Sequence, residues 1–148
     1  MSELQVKTNS EAIAEVYRNA QLALQSITDI LPEVEDEEIK EEILRQHEGY
    51  EKLSGESALL SKKYDLDVKE PSPVKKAMMW SSIKMSTMKD NSRSHIAQMM
   101  IQGTVMGVTA LRKTLSDGEN SLDKDVKALF HQAIAMEEGY EERLKKFL

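Results

Sequence analysis

The fold of this chain is decided by two short stretches that resemble each other, His47-Glu48-Gly49-Tyr50-Glu51 and Glu137-Glu138-Gly139-Tyr140-Glu141. Each stretch lies in a segment whose apolar residues recur at steps of three and four, which is the spacing of a helix with one buried face. An earlier pair of stretches also matches, because Ile13-Ala14-Glu15 resembles Ile96-Ala97-Gln98. Together they predict a repeated helix pair, in which the first helix resembles the third and the second resembles the fourth.

Start and stop signals divide the chain between these stretches. Thr8 to Glu11 has the spacing of a capping box, and Ser72-Pro73, Asp90-Asn91-Ser92 and Ser121 are further start signals. Asp117-Gly118 is a stop signal. These signals and the apolar periodicity predict helices over about residues 9–31, 37–64, 74–89, 92–116 and 122–147. No stretch alternates with the period of a strand, so we expect a single all-α domain over residues 1–148.

The composition restricts the class of partner. The chain has 148 residues and a net charge of −6, and its acidic residues concentrate between Glu33 and Glu42. Such a surface repels phosphate backbones, so we expect no nucleic-acid partner. The chain contains no cysteine, and no apolar run approaches the ~20 residues of a membrane-spanning helix. Residues 1–10 lack the apolar core of a signal peptide, and we therefore expect a cytoplasmic protein.

The predicted helix order resembles that of the ferritin-like superfamily, in its rubrerythrin-like or spore-coat-like branch. The resemblance covers nearly the whole chain and rests on the repeated layout and the two Glu-Gly-Tyr segments, residues 48–50 and 138–140. It implies a four-helix bundle of two similar antiparallel hairpins, joined by a long crossover that contains the short helix 74–89. Active members of the superfamily hold two metal ions with one Glu from each of helices 1 and 3 and a Glu-x-x-His motif from each of helices 2 and 4.

The sequence lacks the ligand set that this resemblance implies. No Glu stands three residues before any of the three histidines. The residues at that position are Leu44, Ser92 and Ala128. Residues 20–24 and 103–107, which we expect to be level with His47, contain no carboxylate. We therefore expect no cofactor and a bundle that has lost its di-metal chemistry. If iron or manganese is bound, the candidate ligands are His47, Glu48, Glu137 and Glu138.

The matching positions of the repeat predict an interior polar cluster, made of His47, Tyr50, Glu137 and Tyr140. A buried charge requires a partner, so we expect His47 to contact Glu137 directly or through water. The alternative is that helix rotation leaves either residue at the rim. Gly103 and Gly107, one turn apart, indicate either a small cavity or close packing against a tyrosine.

The crossover segment is the most apolar of the predicted exposed surfaces. Met78, Met79, Trp80 and Ile83 exceed what a solvated helix needs, and they are the predicted interface of a homodimer. Eight of the nine methionines lie between Met78 and Met136. Because methionine is unbranched and fills irregular space, we expect these side chains to fill the core, with a copper site as the alternative.

These observations favour a structural or interaction protein without catalytic activity. The alternative is a bundle that binds a metal ion or a small ligand in the region of His47 and Glu137.

Overall fold

The computed structural model describes residues 2–148, without the side chains of residues 5–7. Its main elements are α1 (Glu3–Ile30), α2 (Glu37–Ser61), α3 (Pro73–Lys89), α4 (Arg93–Asp117) and α5 (Lys124–Lys145). Short 3-10 turns, Leu31–Glu33 and Lys62–Tyr64, follow α1 and α2. No strand occurs within residues 2–148. The predicted all-α class is confirmed.

The start signals around α3 and α4 act as the sequence predicts. The hydroxyl of Ser72 accepts a hydrogen bond from the backbone N–H of Lys75, and Pro73 occupies the first turn of α3. The hydroxyl of Ser92 accepts from the N–H of His95 in the same way. Each bond satisfies a backbone donor that has no partner within the helix. The predicted division near residue 90 is therefore confirmed.

Two predicted caps are wrong. Thr8 lies inside α1, which begins at Glu3, and its hydroxyl donates to the carbonyl of Leu4 at 2.9 Å. Ser121 does not cap α5, because that helix begins after Asp123. At the start of α5, contacts with distant residues replace the local signal. The backbone N–H of Asp123 donates to the side chain of Asn9 at 2.8 Å. The carboxylate of Asp123 accepts a hydrogen bond from the hydroxyl of Tyr64 at 2.5 Å.

The core lies between two closely packed helix pairs. The most extensive contacts are those of α1 with α2 and of α4 with α5. Hydrogen bonds cross from one pair to the other, as between the hydroxyl of Thr114 and the carboxylate of Glu15 at 2.6 Å. The fully buried apolar side chains include Ile13, Ile27, Ile43, Leu53, Ile96, Leu111, Phe130 and Leu144.

Helix α3 lies against α1 at the outside of these four helices. Ile83 and Thr87 form its buried side, and an ion pair joins Lys84 to Glu33. Near its end, the hydroxyl of Ser86 lies 2.8 Å from Nε2 of His95 on α4. A cleft lies beside this contact, and its lining includes Met79 on α3 and Met106 on α4.

The methionines do not all fill the core. Met78, Met85 and Met88 on α3 and Met106 on α4 are largely exposed, so the core-filling prediction is wrong for them. Met99, Met100 and Met136 are partly buried against the core. None of the helices in the described part of the chain has the length and apolar character needed to cross a membrane.

Candidate functional site

The carboxyl group of Glu137 is the most deeply buried ionisable group near the centre of the bundle, with 2% of the residue exposed. Its Oε2 atom accepts a hydrogen bond from the hydroxyl of Tyr50 on α2 at 2.9 Å. Its Oε1 atom accepts from the side-chain amide of Asn19 on α1 at 2.5 Å. Both donors are neutral. They fix the position of the carboxyl group without balancing its charge.

Helix α4 approaches these side chains through Gly107. A Cβ atom at this position would lie 2.7 Å from Oδ1 of Asn19 and 3.1 Å from Oε2 of Glu137. Such distances are too short for any larger residue without movement of the polar groups. The four residues Asn19, Tyr50, Gly107 and Glu137, one from each of four helices, are named the Glu137 network below.

Burial controls the protonation of this network. Loss of solvent contact raises the pKa of Glu137 to about 7, and the hydrogen bonds from Tyr50 and Asn19 partly offset that rise. Burial, together with the negative charge of Glu137, also raises the pKa of Tyr50 well above its ordinary value. Tyr50 therefore remains a hydrogen-bond donor at all physiological pH values. Glu137, in contrast, changes charge near neutrality.

The Glu137 network lies at the floor of a cleft of about 590 Å³. The walls are mainly apolar and include Met79 on α3, Met99, Met100 and Met106 on α4, and Ile27 on α1. Of the described side chains that line the cleft, only that of Glu137 carries a charge. Apolar walls with a few convergent polar groups are the usual features of a small-molecule site.

A second buried carboxylate shows a contrasting arrangement. Glu42 lies 3.3 Å from Arg143 and 3.3 Å from Arg45, and it also accepts a hydrogen bond from Gln46 at 3.0 Å. Its charge is thus balanced within the protein, as expected for an ion pair that joins α2 to α5. Glu137 has no such cationic neighbour among the described residues that line its cleft. Of these two carboxylates, Glu137 is therefore the one that is left to pair with a cation from outside the chain.

The structure brings three of the four predicted interior residues together. Tyr50 bonds to Glu137, and the ring of Tyr140 packs edge-on against that of Tyr50 with centroids 5.5 Å apart. The predicted contact of His47 with Glu137 is wrong. Nδ1 of His47 lies 2.7 Å from Glu51 on the same helix, and a third of the His47 side chain is exposed. Three residues of helix turn His47 about 60° away from Tyr50, toward the rim.

The four candidate metal ligands do not come together. Glu48 and Glu138 are exposed, and Glu138 accepts a hydrogen bond from Arg112 at 2.7 Å. Among the side chains that the structure describes, no three His, Asp or Glu residues are close enough to hold one metal ion.

The predicted interface residues lie on different sides of α3. Met78 and Trp80 are exposed, whereas Met79 is partly buried and Ile83 is buried against α1. They therefore do not form one continuous surface.

The two glycines of α4 illustrate both predicted alternatives. Gly103 lines the cleft, and a Cβ atom there would meet nothing within 4 Å. Gly107 instead permits close packing, but against Asn19 and Glu137 rather than against a tyrosine. Asn19 is not predicted from the sequence, because the metal-site pattern requires an acidic residue on the first helix. The available signal was an amide next to Ala20, on the face that carries the core residues.

Comparisons of the chain with protein-family models, with curated proteins and with solved structures give no match. Its function is therefore inferred from the Glu137 network and the cleft above it.

Proposed function

We propose that this protein binds a small amine with an apolar body, whose ammonium group pairs with Glu137 and whose apolar part contacts the methionines of the cleft. The single observation that carries the proposal is that Glu137 is the only charged group among the described side chains lining a mainly apolar cleft. The proposal develops the ligand-binding alternative from the sequence. Glu137 and Tyr50 are retained from the predicted interior cluster, and Asn19 takes the place of His47.

The charge of the ligand follows from the electrostatics of the site. A buried carboxylate is unfavourable without a nearby cation, which is why the pKa of Glu137 rises to about 7. A bound ammonium group would supply that cation and favour the ionised carboxylate. A carboxylate ligand would place two negative charges together, with no Lys or Arg among the described lining residues to separate them.

The size and walls of the cleft fit a small molecule. Its volume of about 590 Å³ lies within the range of roughly 300–1,000 Å³ that is usual for small-molecule sites. Met99 and Met106 have flexible side chains, which adapt to ligands of different shape. Gly103 leaves space on the wall formed by α4. These features indicate that the cleft selects ligands by their charge and apolar character rather than by one specific shape.

The ferritin-like arrangement is part of the same proposal. Its support is the close packing of α1 with α2 and of α4 with α5, each pair joined by a short link, with α3 between the pairs in sequence. In this view α3 belongs to the crossover. The Glu137 network, with one residue from each of the four helices, would then occupy the place where active members of the superfamily hold metal ions.

A set of three related probes tests the charge preference. The probes are 1-naphthylmethylamine, the neutral 1-naphthylmethanol and the anionic 1-naphthoate, each titrated by calorimetry near pH 7. We expect the amine to bind at least about tenfold more tightly than the alcohol, and the naphthoate to bind most weakly. Glu137→Gln should remove the preference for the amine.

The matched control is Glu138→Gln, which removes an exposed carboxylate on the same helix. It should leave the affinity for the amine unchanged. Equal binding of the amine by wild-type and Glu137→Gln protein, or tighter binding of the naphthoate, would refute the proposal.

A second function, as an interaction protein, is favoured by a different observation. Val74, Met78, Met85 and Met88 on α3 are apolar and largely exposed.

A further inference from the structure

The outer side of α3 carries a regular apolar stripe. Val74, Met78, Met85 and Met88 have 70%, 68%, 64% and 85% of their surface exposed. Together with the exposed Ser81, they follow one another at alternating steps of four and three residues. These five residues are named the α3 seam. The buried Ile83 and Thr87 lie on the opposite side of the helix, so α3 has one apolar side against the body and another facing solvent.

The spacing of the α3 seam is that of a coiled coil. Steps of four and three place its residues at the a and d positions of a heptad, with Met78 and Met85 at a and the other three at d. Such a repeat keeps the same side of a helix against a partner helix over several turns. It therefore indicates a helical partner of matching period.

Three of the five positions beside the seam are basic. Lys75 and Lys89 occupy e positions, and Lys84 occupies a g position. Helix α3 contains four lysines and no acidic residue. Since the whole chain has a net charge of −6, the residues outside α3 carry −10, four charges lower. Helix α3 thus carries a net charge of +4 in a chain whose other residues are acidic as a whole.

We propose that the α3 seam binds an acidic amphipathic helix of a partner protein. The apolar a and d residues of the partner would cover the methionines, and acidic e and g residues would pair with Lys75 and Lys89, because Lys84 already pairs with Glu33. Charges at these positions determine which helices associate. A second α3 is a poor partner, because its lysines would face the lysines of the first in either orientation. This inference does not depend on the ligand of the cleft.

Two designed peptides test the charge selection. Both have three heptads with Leu at a and d, and they carry Glu or Lys at every e and g position. We expect the full-length protein to bind the Glu peptide at least about tenfold more tightly than the Lys peptide in fluorescence anisotropy. The double variant Lys75→Glu/Lys89→Glu should reverse this order.

Substitutions in the seam test the location. Met78→Glu/Met85→Glu should abolish binding of the Glu peptide, and the milder Met78→Gln/Met85→Gln should weaken it. Both positions are exposed, so circular dichroism should show an unchanged helix content. Leu59→Glu is the matched control, since Leu59 is 68% exposed on α2 and lies outside both the seam and the cleft, and this variant should bind the peptide as wild type does.

Three outcomes would overturn the proposal. One is equal binding of the two peptides. Another is a homodimer in sedimentation that Met78→Glu/Met85→Glu dissociates, because the seam would then join two copies of this chain. The third is binding to vesicles of anionic phospholipid that the same variant abolishes, because the seam would then contact a lipid surface.

Discussion

Asn19 on α1 donates its side-chain amide to Oε1 of Glu137 on α5 at 2.5 Å, although the two residues are 118 positions apart in the chain. The bond joins the two pairs of helices at the floor of the cleft. With Tyr50 it holds a carboxyl group that has little contact with solvent and no cationic neighbour among the described lining residues. The site is therefore ordered before any ligand arrives, while the charge of Glu137 remains unbalanced.

The first prediction concerns the pH dependence of stability. The folded-state pKa of Glu137 is raised from 4.5 to about 7, so its contribution to stability is present below pH 4.5 and is lost as the pH rises through 7. This pKa difference corresponds to roughly 3 kcal/mol. In urea unfolding, the free energy of unfolding of Glu137→Gln should therefore rise by about 3 kcal/mol relative to that of wild type as the pH increases from 4.5 to 8.

Other titrating groups cancel in this comparison. Asp125, whose pKa is lowered mainly by its hydrogen bond from Lys63, acts in the opposite direction but is present in both proteins. If the difference in unfolding free energy between wild type and Glu137→Gln stays constant from pH 4.5 to 8, the pKa of Glu137 is not raised and the prediction fails.

The second prediction concerns the two hydrogen-bond donors. Tyr50→Phe and Asn19→Ala each remove a bond that favours the ionised carboxylate, so each should raise the pKa of Glu137 by about 1. Carbon-13 NMR of the Glu137 side chain measures this value directly. Glu138→Gln should leave the value unchanged. A lower pKa in either variant would mean that water enters the site and replaces the lost donor.

The third prediction compares the glycines of the two Glu-Gly-Tyr segments. A Cβ atom at Gly49 would lie 1.7 Å from the hydroxyl oxygen of Tyr140, whereas one at Gly139 would meet nothing within 4 Å. Gly49→Ala should therefore destabilise the protein by about 1–3 kcal/mol through overpacking. Gly139→Ala should stabilise it by up to about 1 kcal/mol, because alanine favours helix. Denaturant unfolding of both variants measures the difference, and equal effects would contradict the packing described here.

The fourth prediction compares the glycines of α4. Gly107→Ala should displace Asn19 and Glu137 and weaken amine binding, because its Cβ atom would lie 2.7 Å from Oδ1 of Asn19. Gly103→Ala has free space and should keep the fold, with a gain of up to about 1 kcal/mol from helix propensity. Calorimetric titration with 1-naphthylmethylamine and unfolding measurements test both. Unimpaired binding by Gly107→Ala would separate the ligand site from the Glu137 network.

The all-α class and the start signals of α3 and α4 could be predicted because they depend on local chemistry. Ser72 and Ser92 bond to backbone groups three residues away, so their neighbours in sequence contain the necessary information. The predicted cap at Ser121 failed because Asn9, more than a hundred residues earlier, determines the backbone around Asp123. A distant partner of this kind leaves no local pattern.

The site was only partly predictable for a related reason. The interior positions of Tyr50 and Glu137 could be predicted because both residues lie in the two similar segments. His47 was misplaced because the rotation of α2 about its own axis depends on packing against α1 and α5. Gly103 and Gly107 indicated a small cavity as one alternative, but the size of the cleft depends on the placement of α1, α3 and α4. The apolar residues around Met106 equally suit a buried helix side. Chemistry that depends on distances between helices requires the structure.

The most direct test of the central claim is the pKa of Glu137, measured by carbon-13 NMR without ligand and with saturating 1-naphthylmethylamine. We predict a value of about 7 for the free protein and a fall of more than about 1 when the ammonium group pairs with the carboxylate. A free value near 4.5, or a value that the bound amine does not change, would contradict the account.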